Sequence, residues 1–525
     1  MKVLWHGGTI YTMQAEGAIA EAVLVSDDHI EKIGTYEELK QWADKEIDLH
    51  GKSMYPGFVD SHMHMIGHGE KLMRVDLSKI ESSEEMREQL VESTKGLNKE
   101  EWFIGEGWNE NNFADRKIFH RHELDEISES PMLLKRVCRH AILANSSALA
   151  LAGITKDSQD PEGGVIVRDA DGEPTGYLLD AAQDLVANQV PEVSVEYLTR
   201  ALQKSVDNLL SLGLTGAHTE DMGYYGHYSR PLQAFKNVIG DQVKFRAHLL
   251  RAHSAFEDMM ENATYAEPFV DPGPMKIFSD GSIGGRTALL SKPYNDDPST
   301  IGVAIQSDEE FKRLVSIARK HGEAVAIHVI GDLGLEMALD AIEAHPVPAG
   351  KRDRLIHAMV VREDLVERMK KIDVALDLQP SFVTSDFPWV VERLGESRLE
   401  WAYAWKKLLD HGLICAGGSD APIEEVDPCL GIYAAVTRRK PYETHEGFQP
   451  EEKLSRFEAI QLYTSGSAAA IGKEAERGVI REGFDADFTI FDRDLFSGNE
   501  EQILEAQPVM TVVAGEIMYQ KGGEA

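Results

Sequence analysis

The chain has 525 residues, enough for about three average domains or for one barrel of about 250 residues with attached subdomains. Hydrophobic residues make up 42% and charged residues 27%, the balance of an ordinary globular protein, and no apolar run approaches the roughly 18 residues of a membrane span. The formal net charge of −35 argues against nucleic acid and against an anionic membrane surface as partners.

Both ends of the chain contain short apolar segments that predict β-strands. Residues 1–56 include GGTIYTM, AIAEAVLVSDD and HIEKIG, separated by glycine and aspartate turns. Residues 478–525 have the same character in GVIREGFDADFTIFDRDL and PVMTVVAGEIMYQ. We expect the two ends to form one composite β-sandwich, although separate caps are also compatible with this pattern. The first residues, MKVLWHGGTIYTM, lack the basic and apolar stretches of a secretory signal.

Between these ends, eight apolar runs alternate with helical patterns, of which residues 308–322 and 333–345 are the clearest. Alternating strands and helices predict a parallel sheet, and eight such units predict a (β/α)8 TIM barrel over residues 57–477. The runs are YPGFVDSHMH (55–64), LTGAHTED (214–221), KFRAHLL (244–250), PMKIFSDGS (274–282), EAVAIHVIGD (323–332), RLIHAMV (354–360), VALDLQPS (374–381) and LICAGGSDAP (413–422).

The spacing of these runs is broken once, because about 150 residues separate the first run from the second. That length is too great for a single crossover connection between neighbouring strands. The segment contains strand-like and helical pieces of its own, including EWFIGEGWNENN and GGVIVRDADGEPTGYLL. We therefore predict that residues 70–210 form an inserted subdomain over the barrel mouth.

The first run ends in two histidines, His62 and His64, that can bind one metal ion. Residues two apart on a strand point to the same side, so both imidazoles can reach a common centre. Asp60 precedes the pair and is a candidate to orient one of the imidazoles. By itself the pattern is weak, since polar residues are common at strand ends.

Four later residues occupy similar places at the ends of runs. Lys276 lies inside MKIFSDGS, where the simpler interpretation is an ammonium group that reaches water. His328 and His357 end AVAIH and RLIH, and a single histidine there is more often a structural residue than a ligand. Asp420 in GGSDAP suits a turn or a helix N-cap, but also suits a carboxylate beside metal-bound water. The ends of all strands of a barrel converge on one face, so the combined pattern favours a metal site.

The order and context of these residues resemble the amidohydrolase superfamily, and more narrowly its YtcJ-like, amidohydrolase type 3 group. PGFVDSHMH resembles the opening metal motif of that group, and MKIFSDGSIGGRTA resembles its lysine-bearing motif. IHVIGDLG, GGSDAP and GFDADFTIFD resemble its fifth-strand, eighth-strand and closing segments. Within the insertion, VCRHAILANSSALALAGI and GGVIVRDADGEPTGYLLDAA also resemble the group, so the similarity extends over nearly the whole chain.

The resemblance implies a role for each candidate residue. His62 and His64 would bind the more buried metal together with Asp420, and a second metal would lie on two further histidines. Carboxylation of Lys276 would create a carbamate that bridges the two ions. Zinc is the default metal for such ligands, with one or two ions per chain. The implied ligands are His62, His64, Lys276, His328, His357 and Asp420.

The resemblance also implies hydrolysis of a carbon–nitrogen bond of a small molecule, most simply a non-peptide amide. Metal-activated hydroxide would attack the carbonyl, with Asp420 first accepting a proton and then returning it to the leaving nitrogen. Arg136, His140 and Asn145 are candidates for substrate contact, although packing or surface roles fit the sequence equally well. Deamination, decarboxylation or isomerisation on the same scaffold, and an inactive binding relative, are the alternatives.

The cysteine content indicates a reducing compartment. Cys138, Cys415 and Cys429 form no CxxC pair, and three cysteines cannot all pair within one chain. We therefore expect neither a disulfide framework nor a cysteine zinc site, and a cytoplasmic location fits best. The sequence leaves the oligomeric state open, and a homo-oligomer is compatible with it.

Overall fold

A computed structural model describes residues 1–97, 99, 101–137, 140–161, 163–191, 193–266 and 268–522. The chain divides into two compact units, one of Met1–His68 with Leu198–Ala525 and one of Gly69–Tyr197. Cys415 and Cys429 are buried free thiols, whereas Cys138 lies outside the described residues. Among the described helices, none is long and apolar enough to cross a membrane.

The first unit is built around a sheet of eight parallel strands, and each of the eight predicted runs overlaps one of them. Neighbours in this sheet are neighbours in the chain, so the order is that of a TIM barrel. The sheet is nearly closed, because the segment after its last strand bonds to the first one. The strands are β1 Phe58–Met63, β2 Leu214–Thr219, β3 Arg246–Ala252, β4 Val270–Phe278, β5 Val325–Val329, β6 Asp353–His357, β7 Val374–Leu378 and β8 Ile414–Gly417.

Two backbone hydrogen bonds connect the two edges of this sheet. The Asp420 N–H donates to the His62 carbonyl at 2.8 Å, and the His64 N–H donates to the Ala421 carbonyl at 2.7 Å. Both bonds lie at the carboxyl ends of β1 and β8. The closure therefore brings three of the candidate metal ligands to the same place.

The barrel strands are covered on both faces, which explains their apolar sequences. All five residues of β6 and all five of β7 are buried, and parallel strands buried on both faces have continuous apolar runs. Ser307 caps the helix Asp308–Lys320 by accepting from the Glu310 N–H, and acidic residues fill its first turn. Other helices of this unit are Ser229–Val238, Phe256–Asn262, Asp332–Ala344, Glu363–Met369, Phe382–Asp386, Trp389–Leu394, Trp405–Asp410, Pro428–Thr437, Arg456–Tyr463 and Ser465–Ala470.

The two ends of the chain meet in one mixed sheet. Ser53–Pro56 pairs with Phe488–Phe491 in antiparallel fashion and so joins N-terminal to C-terminal strands. Its core includes Trp5, Met54 and Val512, all fully buried. The shared sheet agrees with a composite domain, whereas its predicted sandwich form stays a prediction. The other strands are Lys2–Tyr11, Ile19–Ser26, His29–Gly34, Lys45–Asp48, Pro508–Val513 and Glu516–Gln520.

The second unit, Gly69–Tyr197, contains a six-stranded sheet of its own. It ends earlier than the predicted limit of residue 210, because most of the helix Val195–Ser211 belongs to the first unit. The predicted position over the barrel mouth stays a prediction. Its strands are Val75–Asp76, Phe103–Trp108, Met132–Arg136, Ala141–Ala144, Gly164–Arg168 and Pro174–Asp180, and its helices include Ser83–Ser93, Arg121–Asp125, Ser146–Leu151 and Gln183–Ala187.

Candidate metal centre

The Asp60 carboxylate holds together the two chain segments that carry the first ligands. Its Oδ1 accepts from the His62 backbone N–H at 3.0 Å, and its Oδ2 accepts from the Ser419 N–H at 3.0 Å and the Ser419 hydroxyl at 2.6 Å. These bonds are to backbone and hydroxyl groups. Asp60 therefore positions the backbone on both sides of the barrel closure, rather than orienting an imidazole as the sequence suggested.

Three predicted ligands have donor atoms that lie close together. One donor atom from each of His62, His357 and Asp420 lies within 4.8 Å of the other two. Asp420 Oδ1 is 3.6 Å from His62 Nε2 and 3.3 Å from His64 Nε2. Two imidazoles and a carboxylate at this spacing are a donor set that suits a divalent ion such as zinc.

Two histidines of the site have their tautomers fixed by carbonyl oxygens. His357 Nδ1 is 2.7 Å from Gln379 Oε1, and His328 Nε2 is 3.1 Å from the Gly281 carbonyl oxygen. A carbonyl oxygen only accepts, so the facing nitrogen of each ring carries the proton. The opposite nitrogen, Nε2 of His357 and Nδ1 of His328, then presents a lone pair, as metal ligands of this kind do.

His64 is held in the same way from the neighbouring strand. Its Nδ1 donates to the Glu220 backbone carbonyl at 2.6 Å, and its Nε2 lies 3.3 Å from Asp420 Oδ1. Burial opposes the charged form of His64, but the hydrogen bond to Asp420 and the charge of that carboxylate raise its pKa above the ordinary value. His62 is fully buried, and its Nδ1 has no partner among the described residues. The donor set therefore fits a divalent metal by its chemistry as well as by its spacing.

Lys276 lies against this group in the barrel interior. It is 1% exposed, and its Nζ is 3.2 Å from His62 Nε2. Burial lowers the pKa of Lys276 to about 8. The nearby carboxylates of Glu220 and Asp420 favour the ammonium form and oppose part of this shift. The expectation of a lysine that reaches water is therefore wrong for this side chain.

The protonation states also suit metal binding. Burial lowers the pKa of His62, His328 and His357, which keeps these imidazoles neutral. Burial by itself would raise the pKa of Asp420, but the hydrogen bond with His64 and the nearby positive charges bring it below its ordinary value. Neutral imidazoles and an ionised carboxylate are the forms that bind metal.

The backbone is strained at two of the predicted ligands. Asp420 has a φ of 57° and His357 a φ of 79°, and Ala358 follows with a φ of 43°. Residues other than glycine adopt this left-handed region rarely, at a cost on the order of 1–3 kcal/mol, and such strain concentrates at functional sites.

The sequence analysis missed two side chains that border the site. Gln379, which fixes His357, is the polar residue that follows β7, so the rule applied to the other strand ends would have found it. Glu220 is 1% exposed, its Oε2 has no partner among the described residues, and burial raises its pKa to about 7. It follows β2 in the same manner.

The three candidates for substrate contact all lie in the second unit. Arg136 forms a two-pronged contact with Glu110 at 2.8 and 2.9 Å, and His140 lies 3.2 Å from the Asp180 carboxylate. His140 is largely exposed, with a side chain that is 79% accessible. A role in substrate contact stays a prediction for these two residues.

Asn145 has a structural role that the sequence did not indicate. It is fully buried, and its Oδ1 accepts from the N–H groups of Met132 and Ala148 at 3.0 and 3.1 Å. Its Nδ2 donates to the carbonyls of Ser128 and Ser130 at 3.2 and 2.8 Å. The amide thus caps the helix Ser146–Leu151 and has no bonding capacity left for a ligand, so the geometry speaks against substrate contact.

Comparison with known proteins gives this arrangement a family. The sequence model of the amidohydrolase family matches residues 45–519. The chain belongs to the amidohydrolase family. It is 50% identical to the Bacillus subtilis protein YtcJ, covering 99% of this chain and 100% of YtcJ. It is 28% identical to the N-substituted formamide deformylase of Arthrobacter pascens, covering 98% and 97% of the two chains.

A solved structure of similar fold accompanies these sequences. The crystal structure of an uncharacterized metal-dependent hydrolase from Pyrococcus horikoshii is 30% identical, with a TM-score of 0.75. It covers 95% of this chain and 99% of its own. The predicted family and the predicted barrel are therefore confirmed. Membership of this family identifies the protein as a hydrolase.

Proposed function

We propose that this amidohydrolase hydrolyses the carbon–nitrogen bond of a small, non-peptide amide with the help of a bound divalent metal. The observation that carries the proposal is the cluster of donor atoms at the carboxyl ends of the barrel strands, where one donor atom from each of His62, His357 and Asp420 lies within 4.8 Å of the other two. His328 and His357 each have one ring nitrogen bonded to a carbonyl oxygen, which leaves the lone pair of the other nitrogen for a metal, and His64 lies against Asp420. The ligands are His62, His64, Lys276, His328, His357 and Asp420.

Zinc is the metal that this donor set favours, at one or two ions per chain. When bound, a metal of this kind lowers the pKa of water and polarises a carbonyl. Lys276 is carboxylated in the two-metal form: its Nζ lone pair attacks CO2, a C–N bond forms, and the displaced proton leaves to water. The resulting anion would face cations, which removes the cost of a buried ammonium group.

Asp420 carries the proton transfers of the reaction. Its Oδ1 lies between His62 and His64, and its carboxyl group is ionised and therefore able to accept a proton from the attacking water. It then gives the proton to the leaving nitrogen as the C–N bond breaks. Proton transfer by a positioned side chain contributes about 100- to 10,000-fold to a rate.

The deformylase relative indicates the kind of amide to test first. An N-substituted formamide has a small acyl group and a variable amine, and its hydrolysis yields formate and the free amine. A panel of N-alkyl and N-aryl formamides and acetamides, followed by amine release and carboxylate release, tests the proposal. Equal release of both products supports it. Ammonia release without a carboxylate, or CO2 release, would instead indicate deamination or decarboxylation.

Metal content tests the ligand set independently of any substrate. Elemental analysis of protein purified without added metal should give one or two equivalents of zinc or a similar metal, with a clear loss in His62→Ala. His445→Ala is the matched control, because His445 is exposed and contacts Glu443 rather than the barrel interior. Two equivalents, with the mass of one CO2 added at Lys276, support the bridged form. Wild-type protein that holds no metal and takes up none would refute the proposal.

A further inference from the structure

The barrel has a second polar site at the opposite end from the candidate metal centre. A cavity of about 240 Å³ opens there, lined by residues that precede or begin the strands β3–β6 and by residues 470–473. Parallel strands carry their catalytic residues at the carboxyl ends, whereas this cavity lies at their amino ends. Its lining includes His248, Gly273, Glu323, Lys351, Arg354 and Lys473.

Cations outnumber acids among the residues that line the cavity, although the chain as a whole carries a formal charge of −35. Three of these cations also pair with acids outside the lining, Arg352 with Asp373, Arg354 with Asp377 and Lys473 with Glu476. Both acids of the lining lie near other cations: Glu323 is 3.2 Å from Arg251 and 3.1 Å from Lys351, and Asp271 acts on the nearby Arg246. Cations therefore exceed acids by two. The cations are Lys351, Arg352, Arg354 and Lys473, and the acids are Asp271 and Glu323.

Arg354 lines this cavity and has one hydrogen-bond donor that is not used. Its side chain is 1% exposed, and its Nε and Nη2 donate to the Asp377 carboxylate at 2.9 and 2.8 Å. Nη2 also donates to the Ser61 carbonyl at 2.6 Å. Nη1 is buried and has no partner among the described residues. A buried N–H of a charged group that lacks an acceptor is costly, because it has lost its hydrogen bonds to water, so an acceptor is expected there.

Two histidines beside Arg354 point to the same kind of ligand. The rings of His218 and His248 are 5.3 Å apart, and His218 Nδ1 is buried without a partner among the described residues. Burial lowers the pKa of His248, and the charges that add to this effect all belong to cations, with Arg354 first. Cations thus lie around the ring of His248, an arrangement that suits an anion.

We propose that this cavity binds a small oxyanion of the size of phosphate or carbonate. The oxyanion accepts a hydrogen bond from Arg354 Nη1 and lies beside the imidazole of His248, and Lys473 and Lys351 supply positive charge at the rim. Oxyanions accept several charge-assisted hydrogen bonds at once, which is what guanidinium groups bind best. The site is separate from the metal group and does not depend on the proposed hydrolysis.

Isothermal titration with inorganic phosphate in an oxyanion-free buffer tests the proposal. We expect saturable binding to the wild-type protein, and about tenfold weaker binding for Lys473→Glu, because charge reversal at the rim opposes an anion. His248→Phe, which keeps an aromatic ring but loses its nitrogens, is expected to weaken binding by a similar factor. Lys473 is a rim residue, so its variant keeps the barrel interior intact.

Two further variants make the outcome decisive. Lys45→Glu changes the charge of the protein by the same amount in the exposed terminal sheet and is expected to bind phosphate as the wild type does. Asp420→Asn should also retain the affinity, because it lies at the other end of the barrel. Absence of saturable binding, affinity that neither Lys473→Glu nor His248→Phe changes, or a loss confined to Asp420→Asn would each overturn the proposal.

Discussion

The two ends of the barrel present opposite kinds of atoms from the same strands. At the carboxyl ends, His328 and His357 are bonded to carbonyl oxygens through one ring nitrogen and keep a lone pair on the other. The carboxylate of Asp420 lies beside the histidines of this end. At the amino ends, a guanidinium group and lysines present N–H groups. The short strand β6 carries both, since Arg354 is its second residue and His357 its last. One strand thus contributes both to the candidate metal centre and to the proposed oxyanion site.

One buried ion pair lies between the two ends. Arg354 and Asp377 come from neighbouring strands and are 1% and 0% exposed. Through Ser61, Arg354 also contacts the backbone next to His62. Asp377 lies two residues before Gln379, whose amide donates to the Asp377 carbonyl at 3.1 Å. Substitutions at the carboxyl end, at this ion pair and at Gln379 therefore show what each part contributes to catalysis, stability and metal binding.

The largest expected effect is at the carboxyl end. Asp420→Asn keeps the shape of the side chain but cannot accept a proton, so kcat should fall by about 100- to 10,000-fold. Initial rates on an amide from the active panel, measured with saturating metal, test this expectation. Glu425→Gln, an exposed acid a few residues on, is the control and should leave kcat unchanged. A fall of less than about tenfold would remove Asp420 from the proton transfer.

The ion pair between the ends should dominate stability. Arg354→Met leaves Asp377 as an uncompensated buried charge, and the free energy of unfolding should drop by about 3–5 kcal/mol. Denaturant unfolding of the variant measures this loss. Addition of Asp377→Leu to Arg354→Met removes the stranded charge as well and should recover much of the stability. If the double variant is no more stable than the single one, the loss comes from packing rather than from charge.

The sequence predicted the barrel because each strand coincides with an apolar run, and many of the runs carry a polar residue at the strand end. β6 is the clearest case, since RLIH is a buried strand with its candidate ligand in the last position. The carbonyl groups that fix His328 and His64 had no signal in the sequence, because they belong to the backbone of Gly281 and Glu220 and every residue has one. Asn145 shows the reverse error, since a buried helix cap and a ligand contact require the same residue type.

The second unit also shows a limit of prediction from sequence patterns, because the end of the inserted segment was not predicted correctly. The insertion was predicted from the length of chain between two runs, which says that a segment is extra but not where it stops. The helix Val195–Ser211 is amphipathic, and its apolar residues from Leu198 onward are buried as part of the first unit. Helical periodicity is the same in either unit, so only the three-dimensional contacts assign this helix.

The smallest expected effect is on metal affinity and concerns Gln379, at the carboxyl end of the barrel. Gln379→Leu removes the acceptor of His357 Nδ1, which frees the ring to change tautomer and orientation, and the affinity for metal should fall by about 10- to 100-fold. Competition with a chelator of known affinity measures the change. Gln379→Glu is the matched control, since a carboxylate still accepts from Nδ1 and makes the imidazole a more basic ligand. Equal losses in the two variants would mean that Gln379 acts by packing, whereas loss in Gln379→Leu alone would show that a carbonyl-type acceptor makes this histidine a ligand.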